Sequence, residues 1–108
     1  MKPWDIYTWD FPQVGEHPAV IIGNDERVEQ KPFVNVLLCS SKKAARLPKP
    51  SEVLLDAADG LDWATLCKCD FVYAVEARQL GRRRGTVTHA RRREIASKVI
   101  RGLGLAGL

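Results

Sequence analysis

The stretch Thr65-Leu66-Cys67-Lys68-Cys69-Asp70 sets the reading of the chain. It is a short apolar run, and in an extended strand side chains two apart share a face. Lys68 and Asp70 then project together, while Cys67 and Cys69 point to the other, buried side. A cation and a carboxylate fixed side by side on a stiff element serve either as a general acid and base or as an ordinary salt bridge at a strand end. Spacing alone favours the salt bridge, because such pairs are common.

The flanking segments supply more strands. Residues 4–11 alternate, with Trp4, Ile6 and Thr8 on one face and Tyr7, Trp9 and Phe11 on the other, and Pro12 ends the run. After a turn at residues 13–16, residues 18–22 form a continuous apolar strand closed by Gly23-Asn24-Asp25. Residues 26–31 are polar and read as an exposed connection. In residues 33–39, Val34, Val36 and Leu38 alternate with Asn35, Leu37 and Cys39. Ser40-Ser41 then opens a basic, proline-punctuated loop at 42–50, where cations beside paired hydroxyls suit a phosphate.

A short strand at 52–55 precedes Asp56, which caps a helical turn stopped by Gly60. Trp63 leads into the central strand, residues 71–75 continue the sheet, and Gln79-Leu80-Gly81 turns into an edge strand at 82–87. Thr88 is the expected N-cap of a final helix carrying Ile95, Ala96, Val99, Ile100 and Leu103 at helical spacing. The succession predicts a mainly β fold with a C-terminal helix packed on a strongly bent sheet or small barrel.

Composition sets the outer limits. At 108 residues the chain is one domain, 1–108, and no apolar run approaches bilayer-spanning length. The N-terminus carries no apolar signal region, and three cysteines without framework spacing fit a reducing compartment, so a cytoplasmic protein is expected. Cys67 and Cys69 with Cys39 and a histidine suggest zinc only weakly, since alternation on a strand is not a ligand knuckle. Buried small hydrophobes are the expected role, with no metal and no cofactor. The net charge of +4 is uneven: residues 78–101 hold a run of arginines with Glu94 as the sole acid, and Lys42, Lys43, Arg46 and Lys49 cluster in the loop. Such an excess suits a polyanionic partner or a solvated surface. Arg91, Arg92 and Arg93 fall in the first helical turn, where the dipole disfavours cations, which hints at binding unless acids offset them.

Five short motifs, in order, resemble the MazF/PemK family of toxin endoribonucleases, including its Kid-like branch. They are Trp9-Asp10-Phe11-Pro12 with Gly15, His17-Pro18-Ala19-Val20-Ile21-Ile22, Cys39-Ser40-Ser41, Lys68-Cys69-Asp70 and Arg84-Gly85-Thr86-Val87. The resemblance implies an SH3-like barrel, a homodimer and a cognate antitoxin. It also implies metal-independent cleavage of single-stranded RNA, often mRNA, by 2′-hydroxyl attack, leaving 2′,3′-cyclic phosphate and 5′-hydroxyl ends.

Carried over residue by residue, Asp70 is the base, and Lys68 stands where the Kid-like branch has its arginine acid. Ser40 takes the place of the threonine that contacts the scissile phosphate. Ser41, Lys42, Lys43 and Arg46 are the expected RNA-binding residues. The family's first loop contracts here to Gly15-Glu16-His17-Pro18, where His17 stands in place of either the loop arginine or the histidine that the Kid-like branch carries in that loop. His89 has no counterpart and reads as a surface residue. The contracted loop leaves open a second reading, a non-catalytic SH3-like module that grips RNA, DNA or protein through its basic surface. Gyrase inhibition of the CcdB kind is disfavoured, since Gly102-Leu103-Gly104-Leu105 is unlike that toxin's tail.

Overall fold

Alternation along β1 (Asp5–Phe11) divides the molecule into two hydrophobic layers. In the computed structural model, which describes residues 1–41 and 46–108, Trp4 and Ile6 face one layer and Tyr7, Trp9 and Phe11 the other, as the sequence pattern predicts. The remaining strands are β2 (Gly15–Ile22), β3 (Phe33–Ser41), β4 (Glu52–Leu55), β5 (Thr65–Glu76) and β6 (Arg83–Thr86). They join β1 in one antiparallel sheet of order β4-β5-β3-β2-β1-β6. Two helices, α1 (Asp25–Gln30) and α2 (His89–Gly102), complete the fold with 3-10 turns at Ala57–Asp59 and Ala77–Gln79.

One face of the sheet buries Ile6, Val20, Leu37, Cys39, Val53 and Cys67 against Ile95 of α2. The other buries Phe11, Ala19, Ile21, Val34, Val36 and Leu38 beneath Val28 of α1. On this second face Trp9, Phe11 and Tyr73 pack edge to face, with ring centroids 4.6–5.8 Å apart. Residues 26–31, expected as an exposed connection, instead lie mostly in α1. Asn24 caps it by accepting a hydrogen bond from the Arg27 N–H at 2.8 Å, and Val28 anchors it. A single apolar side chain in so short a helix leaves no periodicity to read.

β5 is one long strand with a sharp irregularity. Cys39 pairs with Cys67 but Leu37 with Val72, so residues 68–71 form an extended bulge. Cys67 before it, Cys69 within it and Val72 after it face the same core, while the consecutive residues Asp70 and Phe71 are both exposed. The first half of β5 lies between β4 and β3, and past the bulge the second half continues along β3.

The curled sheet is closed by the Ala57–Asp59 turn, which follows β4 at one edge and reaches β6 at the other. Asp56 caps the turn in a reciprocal capping box with Asp59, and Gly60 ends it at φ 91°, as the sequence predicts. Gly60 and Gly85 meet back to back: a Cβ on Gly60 would lie 3.0 Å from the Gly85 Cα. Asp59 then accepts the Thr88 N–H at 2.9 Å, while Arg91 donates to both Asp56 and Asp59. Thr88 does cap α2, yet without a side-chain bond. The arginines of the first turn are thus largely offset: Arg91 by this acidic pair, and Arg92 by the Val87 carbonyl at 2.8 Å.

Gly85→Ala should be strongly destabilising, because the added carbon would sit 2.0 Å from the Asp59 carbonyl oxygen. Urea unfolding should show a loss of at least about 2 kcal/mol. Gly102→Ala, whose new carbon would find its nearest neighbour at 3.8 Å, should lie within about 1 kcal/mol of the parent.

Candidate functional site

The β4–β5 hairpin sets Glu52 directly across from Lys68. Glu52 is only 2% exposed, and a buried carboxylate is costly unless its oxygens are satisfied. Arg46 supplies two bonds, at 2.8 and 3.1 Å, the Lys49 N–H a third at 2.9 Å, and the Lys68 ammonium a fourth at 3.2 Å. The Glu52 carbonyl accepts from the Lys98 ammonium at 2.7 Å, which also reaches Glu94 at 3.3 Å. The Arg46 guanidinium, helped by the Lys49 N–H and Lys68, outweighs burial and holds the Glu52 carboxyl down at about 2.

This corrects the expected strand-end salt bridge: the carboxylate paired with Lys68 is Glu52, not Asp70. Nothing local marks Glu52 in the sequence. Its role appears only once the hairpin register sets 52 against 68.

Asp70 lies in the β5 bulge, exposed, with its Cα and Cβ beside the last turn of α2; a Cβ on Gly102 would approach both to 3.9 Å. Among the described residues no hydrogen bond or ion pair joins it to Lys68, His17 or Ser40. His17 is half-buried opposite Trp9, and Ser40 is half-buried opposite Leu66. The β2–β3 ladder ends at Ala19 and Leu38, two residues short of His17 and Ser40. By alternation, His17, Ser40 and Lys68 share the sheet face that carries Trp9 and Leu38. The structure therefore gathers three of the four expected catalytic residues on one face and sets Asp70 on the bend beside α2.

Of the expected RNA-binding residues, Ser41 accepts a hydrogen bond from the Trp63 indole N–H at 2.9 Å, and Arg46 is committed to Glu52. Lys42 and Lys43 lie outside the described residues. The basic run at 78–101 is less bare than its sequence suggests, because acids from elsewhere fold onto it. Arg78 meets Glu76 at 2.5 Å, Arg83 meets Asp5 at 3.4 Å, and Arg91 meets Asp56 at 2.8 Å. Arg82 and Arg93 are exposed and make no ion pair among the described residues.

All three cysteines are buried free thiols, with Cys39 across from Cys67. The Cys39 contact and burial push the Cys67 thiol well up, and Cys67 does the same to Cys69. All three pack as small hydrophobic side chains. Among the described residues no cluster of three or more His, Cys, Asp or Glu is placed to hold a metal. His89 is exposed at the start of α2. No helix among the described residues is long and apolar enough to cross a membrane.

Solved structures share this architecture over nearly the whole chain. An endoribonuclease from mycobacterial species, in complex with its cognate antitoxin, superposes with a TM-score of 0.84 at 22% identity, covering 100% of this chain and 99% of that one. The Mycobacterium tuberculosis toxin MazF-mt6 gives 0.79 at 19%, over 94% and 97%. MazF in a MazE–MazF complex from Deinococcus radiodurans gives 0.77 at 16%, over 98% and 97%. No curated protein matches the sequence. The fold is that of the small toxins with a curled antiparallel sheet and a C-terminal helix. The chain belongs to the PemK-like, MazF-like toxin family of type II toxin–antitoxin systems, which it matches over residues 2–103.

Because the folded-state pKa of Glu52 lies below its usual value of 4.5, its ion pairs stabilise the protein above that pH. The contribution should fade as pH falls from 4.5 towards 2. Glu52→Gln should lose about 1–3 kcal/mol at pH 7 and should flatten the acid limb of urea midpoint against pH. An unchanged acid limb would show that Glu52 is not the group responsible.

Proposed function

We propose that this protein is the toxin of a toxin–antitoxin pair and a metal-independent endoribonuclease acting on single-stranded RNA. The observation that carries this reading is the family match across residues 2–103. It is supported by the sheet face that sets a hydroxyl, an imidazole and an ammonium together. The 2′-hydroxyl attacks the adjacent phosphate, giving 2′,3′-cyclic phosphate and 5′-hydroxyl ends. Such a step needs a base at the 2′-oxygen, a proton for the leaving 5′-oxygen, and donors on the phosphorane.

In this scheme Asp70 is the base, reached by RNA laid across the β5 bend. Lys68 uses one N–H on Glu52 and keeps two for the leaving oxygen. Ser40 donates to the scissile phosphate, and His17, when protonated, supplies positive charge where the shortened first loop has no arginine. Ser41 and Arg46 flank the RNA path, and Lys42 and Lys43 are assigned to RNA binding from the sequence alone. The protein acts as a homodimer in the cytoplasm, held in check by an antitoxin that covers this face.

A second reading is a module that binds RNA without cutting it. It draws support from one observation: Lys68 and Arg46 are both engaged by Glu52, and Asp70 is set apart from them.

Incubation with a long single-stranded RNA in excess chelator separates the two. The nuclease reading expects discrete cuts, lost by at least about 100-fold in Asp70→Ala with the fold intact. RNA that shifts on a gel but stays whole, with Asp70→Ala indistinguishable from the parent, would establish the binding module instead.

A further inference from the structure

We infer that Trp63 is a stacking platform for an unpaired nucleobase at the edge of the proposed RNA face, a reading that rests on the RNA-directed function above. Trp63 is 58% exposed, an expensive placement for the largest apolar side chain. It is nevertheless held in place. Its indole N–H donates to Ser41 Oγ at 2.9 Å, across 22 residues of chain. Its carbonyl accepts from the hydroxyl of Thr65 at 3.0 Å, and Thr65 is itself buried. Ser41 and Thr65 are the last pair of the β3–β5 ladder, so the indole is fixed to the rigid end of the sheet.

The surroundings select the ligand. Trp63 belongs to neither hydrophobic cluster, and its neighbour Asp62 is exposed. An aromatic anchor for a protein partner normally sits in a contiguous apolar patch, whereas the groups that fix this ring are the polar Ser41 and Thr65. A flat π-surface fixed beside the Ser41 hydroxyl instead matches the pattern that grips single strands, with phosphates on neighbouring polar groups and a base on the ring. The hydrogen bond to Ser41 ties one edge of the indole, so the ring is ordered before a base arrives and little rotamer entropy is lost on stacking.

The test uses a 2′-O-methyl oligoribonucleotide, which cannot be cleaved, so binding is read apart from catalysis. Trp63→Ala and Trp63→Leu should weaken binding at least about fivefold, and Trp63→Phe should retain most of the affinity. Replacing the stacked base by an abasic residue should weaken the parent by a similar factor and leave Trp63→Ala unaffected. Parent-like affinity in Trp63→Ala would overturn this inference alone. Failure of the parent protein to bind any single-stranded RNA would overturn the RNA-directed function and this inference with it. If Trp63→Ala lost only antitoxin binding, the ring would be a protein anchor and the inference would fall.

Discussion

The fold depends on the seam where the Ala57–Asp59 turn meets β6. An open six-stranded sheet has two edges, and here β4 and β6 occupy them. The turn after β4 lies so close to β6 that no side chain fits at Gly85, and Gly60, at positive φ, is also tightly placed, 3.0 Å from the Gly85 Cα for an added Cβ. Asp59 then ties the seam to α2 through Thr88 and Arg91. Asp59 therefore serves the 3-10 turn and the helix start with its buried carboxylate and abuts the sheet edge with its backbone carbonyl. Loss of that contact would release α2 from the layer containing Ile6, Val20 and Leu37.

The second polar centre, Glu52, works on the opposite flank of β5. It holds Arg46 and Lys68 beside the bend and, through its carbonyl, Lys98 of α2. An ion cluster of this sort contributes modestly to stability, since burial of the carboxylate consumes much of the attraction. Its larger consequence is positional. Lys68 is held in one orientation on the sheet face that also bears Ser40 and His17, so a phosphate arriving there would meet donors already in place.

Much of the architecture was legible because it rests on alternation. The two faces of β1, the split of Val34, Val36 and Leu38 from Leu37 and Cys39, the inward Cys67 and Cys69, and the Asp56–Gly60 turn all follow from period two and local capping. What could not be read depends on distant chain. The helix α1 has one buried side chain. The β5 bulge is a register shift against β3, and the partner of Lys68 is fixed by hairpin register. The apparent excess of cations at 78–101 falls for the same reason: Asp5, Asp56 and Asp59 are distant in sequence and reach its arginines only in the folded state, while Glu76 adjoins the run at Arg78. Of the site, Ser40, Lys68 and His17 could be nominated from motifs, but their common face, and the separation of Asp70 from them, needed the three-dimensional structure.

The central claim is that this face promotes attack by a ribose 2′-hydroxyl. The most direct measurement takes an RNA cut at a mapped position and replaces only the ribose 5′ of the cut by 2′-deoxyribose. The account predicts unchanged binding, complete loss of cleavage at that position, and 2′,3′-cyclic phosphate on the product of the all-ribose RNA. Cleavage that persists at the deoxy position, or ends bearing a 5′-phosphate, would contradict it.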